Sequence, residues 1–393
     1  MIEHVYALPG RSTRAIVDLD AIAANVAELR KLTAAHTALV AIVKADGYGH
    51  GAVMTSRTAL AAGASMLGVA TIGEGAELRQ RQITAPILLL GPCDPSELHR
   101  ALILDLALTV GSEALLMDVD SAAAGLGKCA RVHLKIDTGM HRYGATPRDA
   151  LSLADRCETL DNVELVALST HLSTADTPAH AATTRQSAIF EEAAAQINSR
   201  LVRTLPVHSA NSAAGLSGMA RGAGMVRFGI SMYGLPPAPE VSLPPGISPA
   251  MSIISRLSRV HLADSGSRVS YGHTYVCKRP ELLGLIPIGY GDGYRRALSN
   301  RGTVQVGDAR CPVRGMVCMD QMVIGNLQAD AVEGDFVGVA GPIGDGPGFD
   351  ALAEIAGTIP YEVVAGISGR VPRYYVGGGR VVATLLEGTL DCI

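Results

Sequence analysis

No stretch of this 393-residue sequence stays apolar for the length that a membrane-spanning helix needs. The first thirty residues contain Glu3, Asp18 and Asp20 and lack both the apolar core and the small-residue cleavage site of an export signal. Neither insertion nor export is expected, so the expected location is the cytoplasm. Lysine and arginine are scattered without a polybasic block and the formal net charge is -4, so no basic field is available for nucleic acid or an anionic membrane. The seven cysteines, Cys93, Cys129, Cys157, Cys277, Cys311, Cys318 and Cys392, are odd in number and never spaced Cys-x-x-Cys. That predicts reduced thiols and no metal site. Fixed-period repeats and low-complexity tracts are missing too. What is present is core material: with 48% hydrophobic and 18% charged residues the chain can bury a large interior, and its length suggests two domains.

Up to about residue 240 the sequence has a rhythm. Apolar runs at 38–43, 66–70, 87–90, 106–110, 131–136, 163–169, 205–207 and 225–227 predict eight strands. Alanine-rich helical patterns at 52–62, 95–102, 112–124, 147–158 and 184–199 separate most of them. Eight β/α units in that length suit a (β/α)8 TIM-type barrel, an α/β fold, over 12–240. A further strand at 15–19 and a helix over 21–29 with Asp20 as N-cap stand outside the count. The proline-rich stretch 236–246 can continue neither helix nor central strand and predicts a linker. Beyond it, runs at 251–262, 282–289, 303–306, 316–324, 335–340 and 379–385 with one helical patch at 349–357 predict a mostly β domain over 241–393, against which residues 1–20 are expected to pack.

Lys44 ends the first of the eight runs and is followed by Ala45-Asp46-Gly47-Tyr48-Gly49-His50-Gly51. An amine at the C-terminal mouth of a strand, beside a glycine loop, stands where barrels keep their chemistry, which suits a Schiff-base lysine. The string 41–51 resembles the pyridoxal 5'-phosphate (PLP) attachment segment of alanine racemases. Eight further blocks follow in that family's order: Lys135-Ile136-Asp137-Thr138-Gly139-Met140-His141-Arg142, Thr170-His171-Leu172-Ser173, His208-Ser209-Ala210-Asn211-Ser212-Ala213, Arg227-Phe228-Gly229-Ile230, Val269-Ser270-Tyr271-Gly272-His273, Ile288-Gly289-Tyr290-Gly291-Asp292-Gly293-Tyr294, Cys318-Met319-Asp320-Gln321 and Arg370-Val371-Pro372-Arg373-Tyr374-Tyr375.

The resemblance implies a PLP-dependent alanine racemase that interconverts L- and D-alanine with two bases and supplies D-alanine for peptidoglycan. Lys44 carries the cofactor and serves one face of the substrate; Tyr271 serves the other, and needs positive charge or hydrogen bonds from Arg142 and His171 to act as a base. Tyr48, Tyr361, Asn211, Ser212, Gly229 and Ile230 surround the cofactor phosphate, with a helix N-cap as a compatible role for Ser212. His171 packs on the ring. Arg227 faces the pyridine nitrogen, supported from behind by His208; having no free lone pair, it cannot take up that nitrogen's proton. Arg142 and the Met319 backbone N–H hold the substrate carboxylate, with Lys135, carbamylated in some relatives, and Asp320 in support. Asp176, Tyr290 and Tyr361 form a polar gate. Because Tyr271 and Met319 belong to the second domain, the resemblance implies a homodimer with shared sites. Met316 replaces a common arginine, Gly325 a common aspartate, and His141 and Tyr143 differ from the small or aliphatic residues usual beside Arg142. The nearest alternative is a racemase of the same fold with serine or broader specificity. A barrel-type PLP decarboxylase would carry a glutamate in place of Arg227, and a non-catalytic PLP-binding protein would have no use for the domain bearing Tyr271.

Overall fold

The computed structural model describes residues 2–177, 180–220 and 222–393. Its first strand, β1 (Arg14–Asp18), is followed by eight more: β2 (Ala38–Ile42), β3 (Met66–Val69), β4 (Ile87–Leu89), β5 (Leu106–Val110), β6 (Ala130–Lys135), β7 (Val163–Ser169), β8 (Val207–His208) and β9 (Met225–Phe228). Strands β2 to β8 pair in sequence order, all parallel, and β9 returns to pair with β2. Between β9 and β8 the ring closes where the Arg227 N–H donates to the Ala210 carbonyl at 3.1 Å. The eight-stranded barrel expected from the rhythm is therefore the fold of the first half.

Local chemistry sets the helices around it. Ser112 accepts the Leu115 N–H to start the helix Glu113–Leu126, and Gly127, at φ 60°, ends it. Thr146 caps the helix Pro147–Glu158, whose proline occupies the first turn. One expected cap differs. The helix Leu19–Lys31 is capped by Asp18, which accepts the Ala21 N–H, while the Asp20 carboxylate accepts the Gly378 N–H instead.

Strand period places the chemistry. Side chains alternate along a strand, and the residues of one parity at the strand ends line a single cavity: Ile42 and Lys44, Leu88 and Leu90, Ser169 and His171, Arg227 and Gly229.

The second half is built around β1, which lies inside an eight-stranded sheet, antiparallel to Met251–Arg256 and parallel to Arg373–Gly377. Both of its faces are buried. Ala15 and Val17 join the main core, and Ile16 packs with Val5, Ile254 and Tyr374 on the other side. A three-stranded sheet, Arg259–Ala263 with Glu281–Ile286 and Met322–Ile324, lies beside it. Three expected runs are shorter than predicted, and one of them, 282–289, ends at Ile286. The run 251–262 breaks at Leu257 and Ser258, whose N–H groups leave the strand direction for Asp335 and Leu285. Residues 316–321 are not a strand, because the Cys318 N–H turns back to the Gln321 carbonyl at 3.0 Å. The helical patch is present as Phe349–Ala356, and a short second helix, Pro360–Ala365, brings Tyr361 over the barrel mouth, 6.0 Å from the Tyr48 ring.

Candidate active site

The cavity at the C-terminal mouth of the barrel has a volume of about 650 Å³ and is lined by Lys44, Tyr48, Lys135, Arg142, His171, His208, Asn211, Ser212, Arg227, Gly229, Ile230 and Tyr361. Twelve of the residues singled out from the sequence thus converge on one space.

Lys44 follows β2 by two residues, and the chain then turns with the opposite hand. Ala45, Asp46, Gly47 and Tyr48 have φ of 52°, 51°, 60° and 53°. Left-handed backbone costs roughly 1–2 kcal/mol for each residue with a side chain, so three of these residues need compensation. It comes from hydrogen bonds: Gly47 N–H to Val43, Gly49 N–H to Ala45 and Gly51 N–H to Asp46, all at 2.8–2.9 Å. The Asp46 carboxylate accepts the Ala52 N–H, and Glu74 accepts the N–H groups of Ala45 and Ala70, each at 2.7–2.8 Å. The turn aims both Lys44 and Tyr48 into the cavity. Burial, reinforced by Arg142 and only partly opposed by Glu74, lowers the pKa of the Lys44 amine. A larger neutral fraction is available to attack an aldehyde.

At one end of the cavity the groups form an anion cradle. Asn211 caps the short helix Ser212–Leu216 by accepting the Ala214 N–H; Ser212, for which capping was an expected second role, instead accepts the Gly229 N–H through its hydroxyl at 2.9 Å. Burial raises the phenols of Tyr48 and Tyr361, so both remain hydroxyl donors at neutral pH. Gly229 is close to Tyr48: a β-carbon at 229 would lie 2.7 Å from the Tyr48 hydroxyl. Gly229→Ala is therefore expected to displace that hydroxyl and weaken phosphate binding about tenfold or more, measured as the dissociation constant of PLP by titration of its visible absorbance.

Arg227 is buried, with 6% of its surface exposed. Nη1 donates to His208 Nδ1 at 2.7 Å and to the His208 carbonyl at 2.9 Å. Nη2 donates to the carbonyls of Thr170 and Ser209 and to His171 Nδ1 at 3.0–3.2 Å. All of these acceptors are uncharged, and Nε makes no hydrogen bond among the described residues. Burial brings Arg227 down to about 10, which leaves it charged near neutrality. Burial, then Arg227, drives His208 well below its usual value, so it is neutral and passes its other ring N–H to His133 at 2.9 Å. His133 is a member of this relay that sequence reasoning missed, although its position two residues before Lys135 on β6 puts it on the same face. His171 is lowered to about 2 by burial, Arg227, Lys135, Arg142 and Lys44. It is a neutral wall, so of the two groups expected to surround Tyr271 only Arg142 brings charge. Lys135 is also pushed well below its usual value by burial, Arg227 and Arg142. Lys135 Nζ and the Arg142 guanidinium lie 5.6 and 5.2 Å from the centroid of the Tyr143 ring. Glu74 was the other participant missed, and its signal was the capping pattern Thr71-x-x-Glu74.

The remaining expected residues do not line the cavity. Tyr271 is 73% exposed and shares a surface depression with Met319 and Asp320. Tyr290 is exposed, and Asp176 is exposed too, near enough to Tyr361 to add its charge to the raising of that phenol.

These residues fit PLP. A buried guanidinium that lines the cavity, tied only to neutral acceptors and with no hydrogen bond from Nε among the described residues, favours an unprotonated ring nitrogen. The Tyr48, Tyr361 and Ser212 hydroxyls, gathered beside the Gly229–Ile230 backbone, suit a phosphate.

Residues 17–237 match the family model for the alanine racemase N-terminal domain and residues 250–375 that for the C-terminal domain. The alanine racemase of Symbiobacterium thermophilum is 42% identical over 370 residues, covering 93% of this chain and 98% of the relative. That of Salinispora arenicola is 42% identical over 368 residues, covering 92% and 97%. Among solved structures, the alanine racemase of D-cycloserine-producing Streptomyces lavendulae superposes with a TM-score of 0.89 at 36% identity, covering 94% of this chain and 98% of that one. The Bacillus anthracis enzyme with bound L-Ala-P superposes with a TM-score of 0.90 at 34% identity, covering 96% and 98%. With both halves of the family matched over nearly the whole length, the chain belongs to the alanine racemase family.

Proposed function

We propose that the protein interconverts L- and D-alanine with PLP held on Lys44, within a barrel at 12–240 and a β domain at 241–393 whose sheet takes in β1 from residues 1–20, and that it supplies D-alanine to peptidoglycan synthesis in the cytoplasm. The observation that carries this reading is Lys44 and the enclosed Arg227 facing one cavity. When bound, the cofactor supplies an aldehyde that captures amines and a ring that withdraws electrons from the α-carbon.

The protein's part is to hold, orient and move a proton. Arg227 would donate to the ring nitrogen and cannot accept its proton, which would weaken the electron withdrawal that the cofactor supplies and so favour return of the proton to carbon over transamination. Neutral His171 covers the ring. Tyr48, Tyr361, Ser212 and the Gly229–Ile230 backbone hold the phosphate, with Asn211 fixing the helix that carries Ser212. Lys44 Nζ exchanges the α-proton on one face. Tyr271 Oη does so on the other, from a second copy of the chain: its exposure, with that of Met319 at 52% and Ile359 at 55%, leaves apolar surface for a partner to cover. Arg142 and the partner's Met319 N–H orient the substrate carboxylate, Lys135 and Asp320 support them, and Asp176 with Tyr290 narrows the channel.

Racemisation of L-alanine, L-serine, L-lysine and L-arginine, followed by chiral chromatography, tests the reading. Alanine is expected to give the highest kcat/KM. A preference for serine or a basic substrate would replace the alanine assignment, and no turnover of any would leave only PLP binding.

A further inference from the structure

One carboxylate is buried completely among the described residues, and it lies outside the Lys44 cavity: Asp292, with no exposed surface. Arg11, from the segment before β1, grips both of its oxygens at 2.5 and 3.2 Å and also donates to the Pro287 carbonyl at 2.7 Å. Gly289 N–H donates to Asp292 Oδ2 at 3.0 Å. Arg370 Nε approaches Oδ1 at 3.6 Å, and the same guanidinium holds Asp320 at 2.6 Å. Three separated parts of the chain meet at this carboxylate. A buried ion pair is weak evidence for stability, since desolvation offsets most of the attraction, but it does impose one geometry.

That geometry reaches the Met319 segment through two backbone hydrogen bonds. Tyr290 N–H donates to the Cys318 carbonyl at 3.0 Å and Gly291 N–H to the Met319 carbonyl at 2.8 Å. The approach is so close that a β-carbon at Gly289 would run into both carbonyls. A peptide unit is planar and trans, so anchoring the Cys318 carbonyl fixes the opposite direction of the Met319 N–H in the same plane.

We propose that Asp292 is a positioning residue for substrate: it locks the 289–293 turn, the turn locks the Cys318–Met319 peptide, and the peptide aims the Met319 N–H at the substrate carboxylate. This rests on the reading above that Met319 N–H contacts that carboxylate. Arg370, touching Asp292 and Asp320 together, braces the far side of the same segment.

The test compares holoenzymes by KM and kcat for L-alanine and by inhibition constants for propionate, which has only the carboxylate, and ethylamine, which has only the amine. In Asp292→Asn the KM and the propionate constant are expected to rise about tenfold, as for the loss of one hydrogen bond to a charged group. The ethylamine constant stays unchanged and kcat changes far less than KM. A rise for ethylamine equal to that for propionate would mean general distortion of the site and overturn the proposal. An unchanged propionate constant in Asp292→Asn, with a raised one in Met319→Pro, would overturn it while leaving the Met319 contact standing. If Met319→Pro also leaves propionate unaffected, the contact itself is absent and the underlying reading fails. Should Asp292→Asn not fold, Arg370→Gln, at a side chain 49% exposed, is expected to raise the same two constants by a smaller factor, and no rise there would overturn the proposal.

Discussion

Lys44→Ala is expected to abolish covalent attachment of PLP and to slow racemisation by at least about 10⁴-fold, the upper end of what one acid–base group contributes, because attachment and proton exchange fall on one side chain. Two lysines line the cavity, Lys44 and Lys135, so the assignment has a real competitor. Both amines are lowered by burial, and protonation state therefore does not separate them. Position does. Lys44 shares the left-handed turn with Tyr48, which closes on Gly229 at the phosphate cradle, whereas Lys135 lies against Tyr143 and Arg142, where the substrate carboxylate is proposed to bind. Borohydride reduction of the holoenzyme followed by peptide mapping should recover the cofactor on Lys44. Recovery on Lys135 would reverse their roles. The phosphate cradle of Lys44→Ala is intact, so the variant should still bind PLP without a bond, seen as the spectrum of the free aldehyde.

Tyr271→Phe is expected to slow racemisation in both directions by about 10²–10⁴-fold, since a catalyst cannot shift the equilibrium between enantiomers. Exchange of the α-proton with solvent should not fall symmetrically. If Tyr271 serves the face from which L-alanine loses its proton, then in deuterated water the variant still washes deuterium into D-alanine through Lys44 while exchange into L-alanine drops far more. Equal residual exchange from both enantiomers would mean one base, or water, serves both faces. The exposed position of Tyr271 outside the chain's own cavity adds a second measurement. Mixed dimers of Lys44→Ala and Tyr271→Ala chains should regain activity, because one of their two composite sites is intact. No rescue after demonstrated subunit exchange would place Tyr271 in the site of its own chain.

Much of the barrel was legible because its signal is local. Each strand run ends in a residue of fixed parity, and the period of two carries Lys44, Lys135, His171 and Arg227 to the interior without reference to any neighbour. His133 obeyed the same rule and was missed only because a histidine in an apolar strand has an ordinary core reading. The cap of the helix Leu19–Lys31 was misplaced by two residues, since Asp18 and Asp20 are both competent caps and the choice between them was made by Gly378, some 360 positions away, which engages Asp20.

The sequence by itself determined the fold class of both halves and the lysine, arginine and hydroxyl-bearing residues that line the cavity, because periodicity and short motifs are properties of neighbouring residues. Only the tertiary structure decided what depends on partners distant in the chain. It put β1 inside the second domain's sheet, where hydrogen bonds to Met251–Arg256 and Arg373–Gly377 fill its two edges. It joined Arg11, Asp292, Arg370 and Asp320 into one ionic cluster and kept Tyr271 and Met319 away from Lys44. An alternating pattern tells which face of a strand is buried; the identity of what lies across its edge or over its face is set by chain closure and packing, and no local pattern encodes it.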